Sequence, residues 1–512
     1  VDKIEILKKI SFGARVAEEE TTELSKYFVE TDQWNRMING EIDIVRGDKG
    51  AGKSAIYSLL VTKTDDLFDR SILLITAEKP RGTTVFKDLE VNPPASAQEF
   101  VSLWKLYISV LIAQKIREFQ IDTDTASQML SALEHAGLLE REFDLITILR
   151  GVRNYARRLF QLEALEGGVT TDQTTGLING LTGRITFREP TEIQRAQGFI
   201  SADTLLKVAN KALCNQKYTV WILLDRLDVA FAENADLERN ALTALFRVYL
   251  DLLEHHNIKL KVFLRSDIWQ RITGDGFREA SHITRDMAIS WSKPALLNLI
   301  IRRFLNNDVV NEIYQVDKKE VLNSSTAQSA LFEKLFPSQV EQGSRKSNTL
   351  DWMIGRCADG TGRTAPRELI HLLGVLREKE IARLERGDDA APELQLFDRS
   401  VFKDALSAVS DARLVQTLYA EYPESRLYLE KLRGEKTEQS VESLSQIWNV
   451  SESEAVQQAN KLVTIGFFQL RGSKEDPSFW VPFLYRSGLK LSQGRASDSE
   501  NIEEEQEDLF EA

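Results

Sequence analysis

A chain of 512 residues with 42% apolar and 28% charged side chains has room for about two to four domains and the make-up of a globular protein in water. No apolar run reaches the length that spans a bilayer, and Val1-Asp2-Lys3-Ile4-Glu5-Ile6 has neither the basic start nor the apolar stretch of a secretory signal, so a cytoplasmic protein with no membrane partner is expected. A net charge of -13 argues against a surface built throughout to hold nucleic acid, though a local basic groove stays possible.

From residue 1 to 38 the apolar spacing is helical, and Asn39-Gly40 marks a turn into a short strand containing Ile42, Ile44 and Val45 that stops at Gly47. A helix follows, carrying Ala55, Ile56, Leu59 and Leu60. Ser71 to Thr76 is expected as a second buried strand and Phe100 to Ile116 as an amphipathic helix. The stretch 122–217 is expected to be a helical insertion interrupted by the Gly/Thr-rich run from Glu166 to Gly176. Strand patterns resume at Tyr218 to Leu224 and Leu260 to Leu264, with a helix at Ala241 to Leu253 between them. That alternation predicts an α/β core over 39–292 with a parallel sheet covered by helices on both faces. Residues 293–400 form an expected helical lid region, 401–491 a winged-helix-like domain and 492–512 an acidic, disordered tail. Cys214 and Cys357 have neither zinc spacing nor a disulfide framework and are expected as buried thiols.

The strongest motif is Gly47-Asp48-Lys49-Gly50-Ala51-Gly52-Lys53-Ser54, which fits G-x-x-x-x-G-K-[ST] with a strand before it and a helix after it. The pattern predicts a P-loop whose backbone N–H groups surround the phosphates of ATP, with Lys53 on the β and γ phosphates and the Ser54 hydroxyl on Mg2+. Such a site needs a carboxylate at a neighbouring strand end. Val220-Trp221-Ile222-Leu223-Leu224-Asp225 supplies one, and Asp228 follows as a candidate to position or deprotonate the attacking water. Arg265 ends the next strand as a candidate γ-phosphate sensor. Arg363 and Arg367, in Gly360-Thr361-Gly362-Arg363-Thr364-Ala365-Pro366-Arg367, could contact phosphate or make ordinary salt bridges.

The set GDKGAGKS, WILLDRLD, VFLRSD and TGRTAPRELI resembles bacterial P-loop ATPases allied to the KAP and STAND groups of signal-transduction NTPases, over roughly Lys9 to Leu491. The resemblance implies an ASCE-type sheet with helical and winged-helix additions. It implies that Asp225 holds Mg2+, Asp228 is the second acid, Arg265 a strand-end sensor and Arg367 a lid residue. It further implies a slow ATP-dependent switch acting with an effector protein or by self-association, in a defence role against phage. Arg226 stands where many AAA+ ATPases have a catalytic glutamate, which points to slow turnover.

Val441 to Trp448 and Ser451 to Gly466 are expected as two helices, with Phe467 to Tyr485 as a wing-like hairpin. Glu452 and Glu454 make the second helix a poor surface for duplex phosphates, so protein docking is favoured over DNA binding there. Trp34, Trp221 and Trp291 are expected as packing residues, and Arg302-Arg303 as a solvated helix face. A DNA-dependent ATPase motor and a nucleotide-binding scaffold with negligible hydrolysis are the competing functions.

Overall fold

A computed structural model describes residues 3–14, 24–77, 85–87, 89, 96–139, 144–165, 185–187, 189–196, 198–227, 231, 234–274, 277–388, 395–473 and 476–496. Asp228, the Gly/Thr-rich run from Glu166 to Gly176 and the tail from 497 lie outside them. The chain divides into two compact units, one of Asp32–Gly47 and Lys53–Ala288, the other of Val1–Thr31, Asp48–Gly52 and Ile289–Ala512.

The first unit is built on a sheet. Its strands are β1 (Ile44–Gly47), β2 (Ile72–Thr76), β5 (Thr219–Leu224), β6 (Ile258–Arg265) and β7 (Asp286–Ala288), while β3 (Ile185–Thr186) and β4 (Ile200–Ser201) form a separate parallel pair. The order is β2-β5-β6-β1-β7, and every neighbouring pair is parallel. β5 is buried from Val220 to Leu224, the unbroken apolar run of a strand covered on both faces. β6 lies between β1, which leads into the glycine loop, and β5, which ends before Asp225. In register, Gly47 is opposite Arg265, and Leu224 is opposite Val262.

Long helices cover this sheet. Helix Ala97–Glu118 starts on a Ser96 side-chain cap and buries Trp104, Tyr107 and Leu111. Ala202–Asn215 is capped by Ser201, and Ala235–Leu252 by Asn234. The predicted insertion contains helices Asp124–His135 and Leu145–Leu165. β7 was not expected from the sequence. Its three residues, Asp286-Met287-Ala288, are too few for a pattern, and they are held by pairing with β1.

The second unit is mainly helical, with an apolar core drawing Ile6 and Leu7 of the helix Lys3–Lys9 together with Leu369, Leu373 and Leu376 of the helix Pro366–Glu385. Its C-terminal part has the winged-helix order. β8 (Lys436–Ser440) is followed by helices Val441–Trp448 and Glu452–Thr464, then the antiparallel hairpin of β9 (Gln469–Gly472) and β10 (Pro477–Trp480), then β11 (Ser492–Arg495), in sheet order β11-β8-β10-β9.

Two surface expectations fail. Arg303 is only 4% exposed and donates to the carbonyl of Phe12, because its helix Lys293–Leu305 buries that face. Cys214 is exposed in the last turn of its helix, while Cys357 is buried and its thiol pKa is pushed up by burial. Among the described residues, no helix is long and apolar enough to cross a membrane.

Candidate functional site

In the sheet unit, the chemistry gathers at the C-terminal ends of β1, β5 and β6, the edge where open parallel sheets place ligands. β1 ends at Gly47, and helix Lys53–Thr62 begins with the motif lysine. Lys53 Nζ donates to Gly47 O at 2.8 Å, so the ammonium turns back over the start of the loop. Ser54 Oγ lies 3.4 Å from Asp225 Oδ2, a contact between residues 171 apart in sequence. Asp225 is only 5% exposed. A hydroxyl and a carboxylate at this separation are hard oxygen donors of the kind Mg2+ takes in small number, the rest of its shell coming from phosphate and water. Among the described residues, no cluster of three or more His, Cys, Asp or Glu side chains could hold a metal by itself.

Arg226, directly after Asp225, has φ +59°, the left-handed region that costs a side-chain-bearing residue on the order of 1 kcal/mol. It marks the sharp exit of the chain from β5. Arg265, 8% exposed at the end of β6, is gripped at two points by Asp267, Nε to Oδ1 at 3.0 Å and Nη2 to Oδ2 at 2.8 Å. This planar fork fixes the guanidinium orientation in a way an ammonium would not.

The loop tip, Asp48 to Gly52, belongs to the helical unit, and that unit supplies its neighbours. Arg363 Nη1 meets Asp48 Oδ2 at 3.1 Å. The side-chain stem of Arg367 lies so close to Gly50 that a Cβ there would come within 3.0 Å of Arg367 Cβ. Arg363 and Arg367 thus lie against the loop, one paired with Asp48 and one packed on Gly50.

Four more residues hold this tip. Lys49 pairs with Glu421, and Trp291 Nε1 donates to Ala51 O at 2.8 Å. Arg413 Nη1 donates to Glu368 Oε1 at 2.8 Å and reaches Lys49 O at 3.5 Å. Burial works most strongly against the Arg413 charge, but Glu368, Tyr485 and Asp359 together outweigh it, and the guanidinium pKa is raised overall. Trp291 had been expected only as packing. Arg413 and Glu421 sit in no motif, since an arginine ending an amphipathic helix gives no hint that its side chain turns inward.

No protein-family model matches the chain, and no curated protein matches it. Among solved structures, the Aeropyrum pernix ORC2 protein in its ADPNP-ADP complexes aligns with 94% of this chain and 96% of its own, at 12% identity and a TM-score of 0.27. The ADP form of the same protein aligns over 95% of each chain, at 12% identity and a TM-score of 0.28. These values are low, and the chain is placed among parallel α/β folds of the P-loop type by its own sheet order, by the loop after β1 and by the carboxylate after β5.

Proposed function

We propose that this protein binds ATP with Mg2+ at the loop Gly47 to Ser54 and hydrolyses it slowly, as a switch whose nucleotide state is passed to an effector protein or to a second copy of the chain. The observation that carries the reading is the meeting of Ser54 with Asp225 at 3.4 Å beside Lys53. No packing role requires a lysine, a hydroxyl and a nearly buried carboxylate at the end of a parallel sheet.

The roles follow from the chemistry of each group. Backbone N–H groups of Gly50 to Ser54 and the Lys53 ammonium stabilise phosphate charge. Ser54 and Asp225 would hold Mg2+, which supplies further neutralisation of the phosphates when bound. Asp228 orients the attacking water and accepts its proton, and Arg265 stabilises charge on the transferred phosphoryl group. Arg226, in place of a catalytic glutamate, accounts for a low rate. Arg363, Arg367 and Arg413 lie around Asp48 to Gly50 within the helical unit, so the conformation of the loop tip depends on them.

The test is phosphate release from Mg-ATP by the purified protein beside Lys53→Ala and Asp228→Asn, with and without duplex DNA. Slow release that falls at least tenfold in both variants and ignores DNA is the expected result. Tight ATP binding without release would make the protein a nucleotide-binding scaffold, and stimulation by DNA would make it a motor. Failure to bind ATP would overturn the reading.

A further inference from the structure

The amides of the loop tip fall into two kinds. Gly50 and Gly52 hold φ +87° and +107° on either side of Ala51, and changes of sign of this kind fold backbone N–H groups into a concave nest that suits an anion. The Ala51 N–H is used within the loop, donating to Asp48 O at 3.1 Å. The Gly50 and Gly52 N–H groups donate to no acceptor among the described residues.

The carbonyls joined to those two amides are the ones held from outside. Trp291 Nε1 donates to Ala51 O at 2.8 Å, and Arg413 Nη1 reaches Lys49 O at 3.5 Å. Both side chains and the tip Asp48 to Gly52 belong to the same compact unit. A trans peptide is planar, with its carbonyl and its N–H on opposite sides. A donor that draws the Ala51 oxygen toward the indole therefore turns the Gly52 N–H away from it. Arg413 acts in the same sense on the Lys49–Gly50 peptide, more weakly at its longer distance.

The indole itself is held in place. It packs on Leu299 of the helix Lys293–Leu305 and on Ile370 of the helix Pro366–Glu385, and its Cζ2 stands 3.9 Å from where a Gly52 Cβ would lie. Apolar packing fixes the ring, and the ring fixes the direction of its N–H. Filling space between two helices and a glycine needs only the ring. A phenylalanine would do that and would leave the Ala51 carbonyl without its donor.

We propose that Trp291 is a positioning residue of the nucleotide site, which by holding the Ala51 carbonyl aims the Gly52 N–H at the phosphate chain, with Arg413 supporting Gly50 in the same way. The role rests on the reading of Gly47 to Ser54 as a triphosphate loop, and it names what the helical unit contributes there. Glycine at 52 leaves the Ala51–Gly52 peptide free to rotate unless something outside the loop holds it. An amide already aimed before the ligand arrives needs no reordering on binding, which is the advantage of a preorganised donor. What Trp291 governs is the phosphate contact, so its effect is indifferent to base and sugar.

The test is competition by Mg-ATP and by inorganic tripolyphosphate against a fluorescent ATP analogue on the full chain, beside Trp291→Phe and Trp291→Leu, together with steady-state phosphate release. Trp291→Phe keeps the ring and loses the donor, so its thermal midpoint without nucleotide should match wild type. It should bind Mg-ATP and tripolyphosphate more weakly by one common factor of about three to ten, the size of a single neutral hydrogen bond. KM for ATP should rise by that factor while kcat changes little. A role in packing alone would leave Trp291→Phe at wild-type affinity and KM, with a loss only in Trp291→Leu, and that result overturns the inference. A loss for Mg-ATP with none for tripolyphosphate also overturns it, because Trp291 would then be a contact to base or ribose. Wild type that binds neither the analogue nor tripolyphosphate overturns the reading of the loop itself, a failure visible before any variant is made.

Discussion

At the residue scale, the constraint that bears on the glycine loop is Gly50. It has φ +87°, and a Cβ there would lie 3.0 Å from Arg367 Cβ and 3.3 Å from Arg367 Cδ. The nearer atom is the root of the side chain and cannot swing aside. Gly362 has φ +78° with nothing within 4 Å of an added Cβ, so it isolates the backbone effect. Gly362→Ala should cost about 1–2 kcal/mol through left-handed strain alone, and Gly362→Asn should recover much of it. Gly50→Ala should cost more than Gly362→Ala and should also lower ATP affinity at least tenfold, since the loop that presents its N–H groups must move. Urea unfolding of the three variants and an ATP titration of Gly50→Ala check this. Equal stability losses at Gly50 and Gly362 would mean that Arg367 gives way and does not hold the loop.

Among elements, the sheet was legible where strands are buried on both faces and illegible where they are short. The apolar runs of β2 and β5, the glycine stop of β1 and the 3.6-residue periodicity after Ser54 each declared themselves, because burial on both faces writes a strand as a continuous run. The loop, Lys53, Ser54 and Asp225 followed from them. The hold of Trp291 on Ala51 did not, since the two lie 240 residues apart and are brought together only by the packing of the helical unit. β6 stands between these cases, its placement showing what Arg265 can do. Parallel pairing puts Arg265 level with Gly47, and Asp267 fixes its fork at 3.0 and 2.8 Å. Arg265→Lys keeps the charge but loses the two-point geometry, so ATP turnover should fall about tenfold or more while ATP affinity changes little. Single-turnover phosphate release beside equilibrium ATP binding separates the two quantities. An unchanged rate would make Arg265 a structural partner of Asp267 and nothing more.

The stability of the molecule across pH depends on Lys261, a charge in an alternating apolar and polar stretch that is buried all the same. Ile258-Lys259-Leu260-Lys261-Val262 alternates apolar and polar, the pattern of a strand with one wet face, yet β6 is central and Lys261 is fully buried. Its ammonium is tolerated because Asp43 lies at 2.9 Å, the Ile42 carbonyl accepts from it and Trp221 presents a ring face at 4.3 Å. Asp43 also takes Arg285 Nε at 2.6 Å and Tyr249 at 3.3 Å. Asp43→Ala should therefore destabilise the protein by about 3–5 kcal/mol at neutral pH, by leaving a buried ammonium without its carboxylate. Burial lowers the Lys261 pKa from 10.5 to about 8, with Asp43 offsetting part of that cost. Below about pH 8 the folded and unfolded chains both carry the proton, and the cost of burying it is present in full. Between about pH 8 and 10.5 the unfolded chain keeps a proton that the folded chain has released, so the Lys261 contribution to stability rises with pH across that window. Urea unfolding from pH 7 to 10.5 should accordingly show wild type gaining stability relative to Lys261→Met as pH rises. Parallel curves for the two proteins would mean that Asp43 holds Lys261 charged throughout the window and that the pair titrates as one unit.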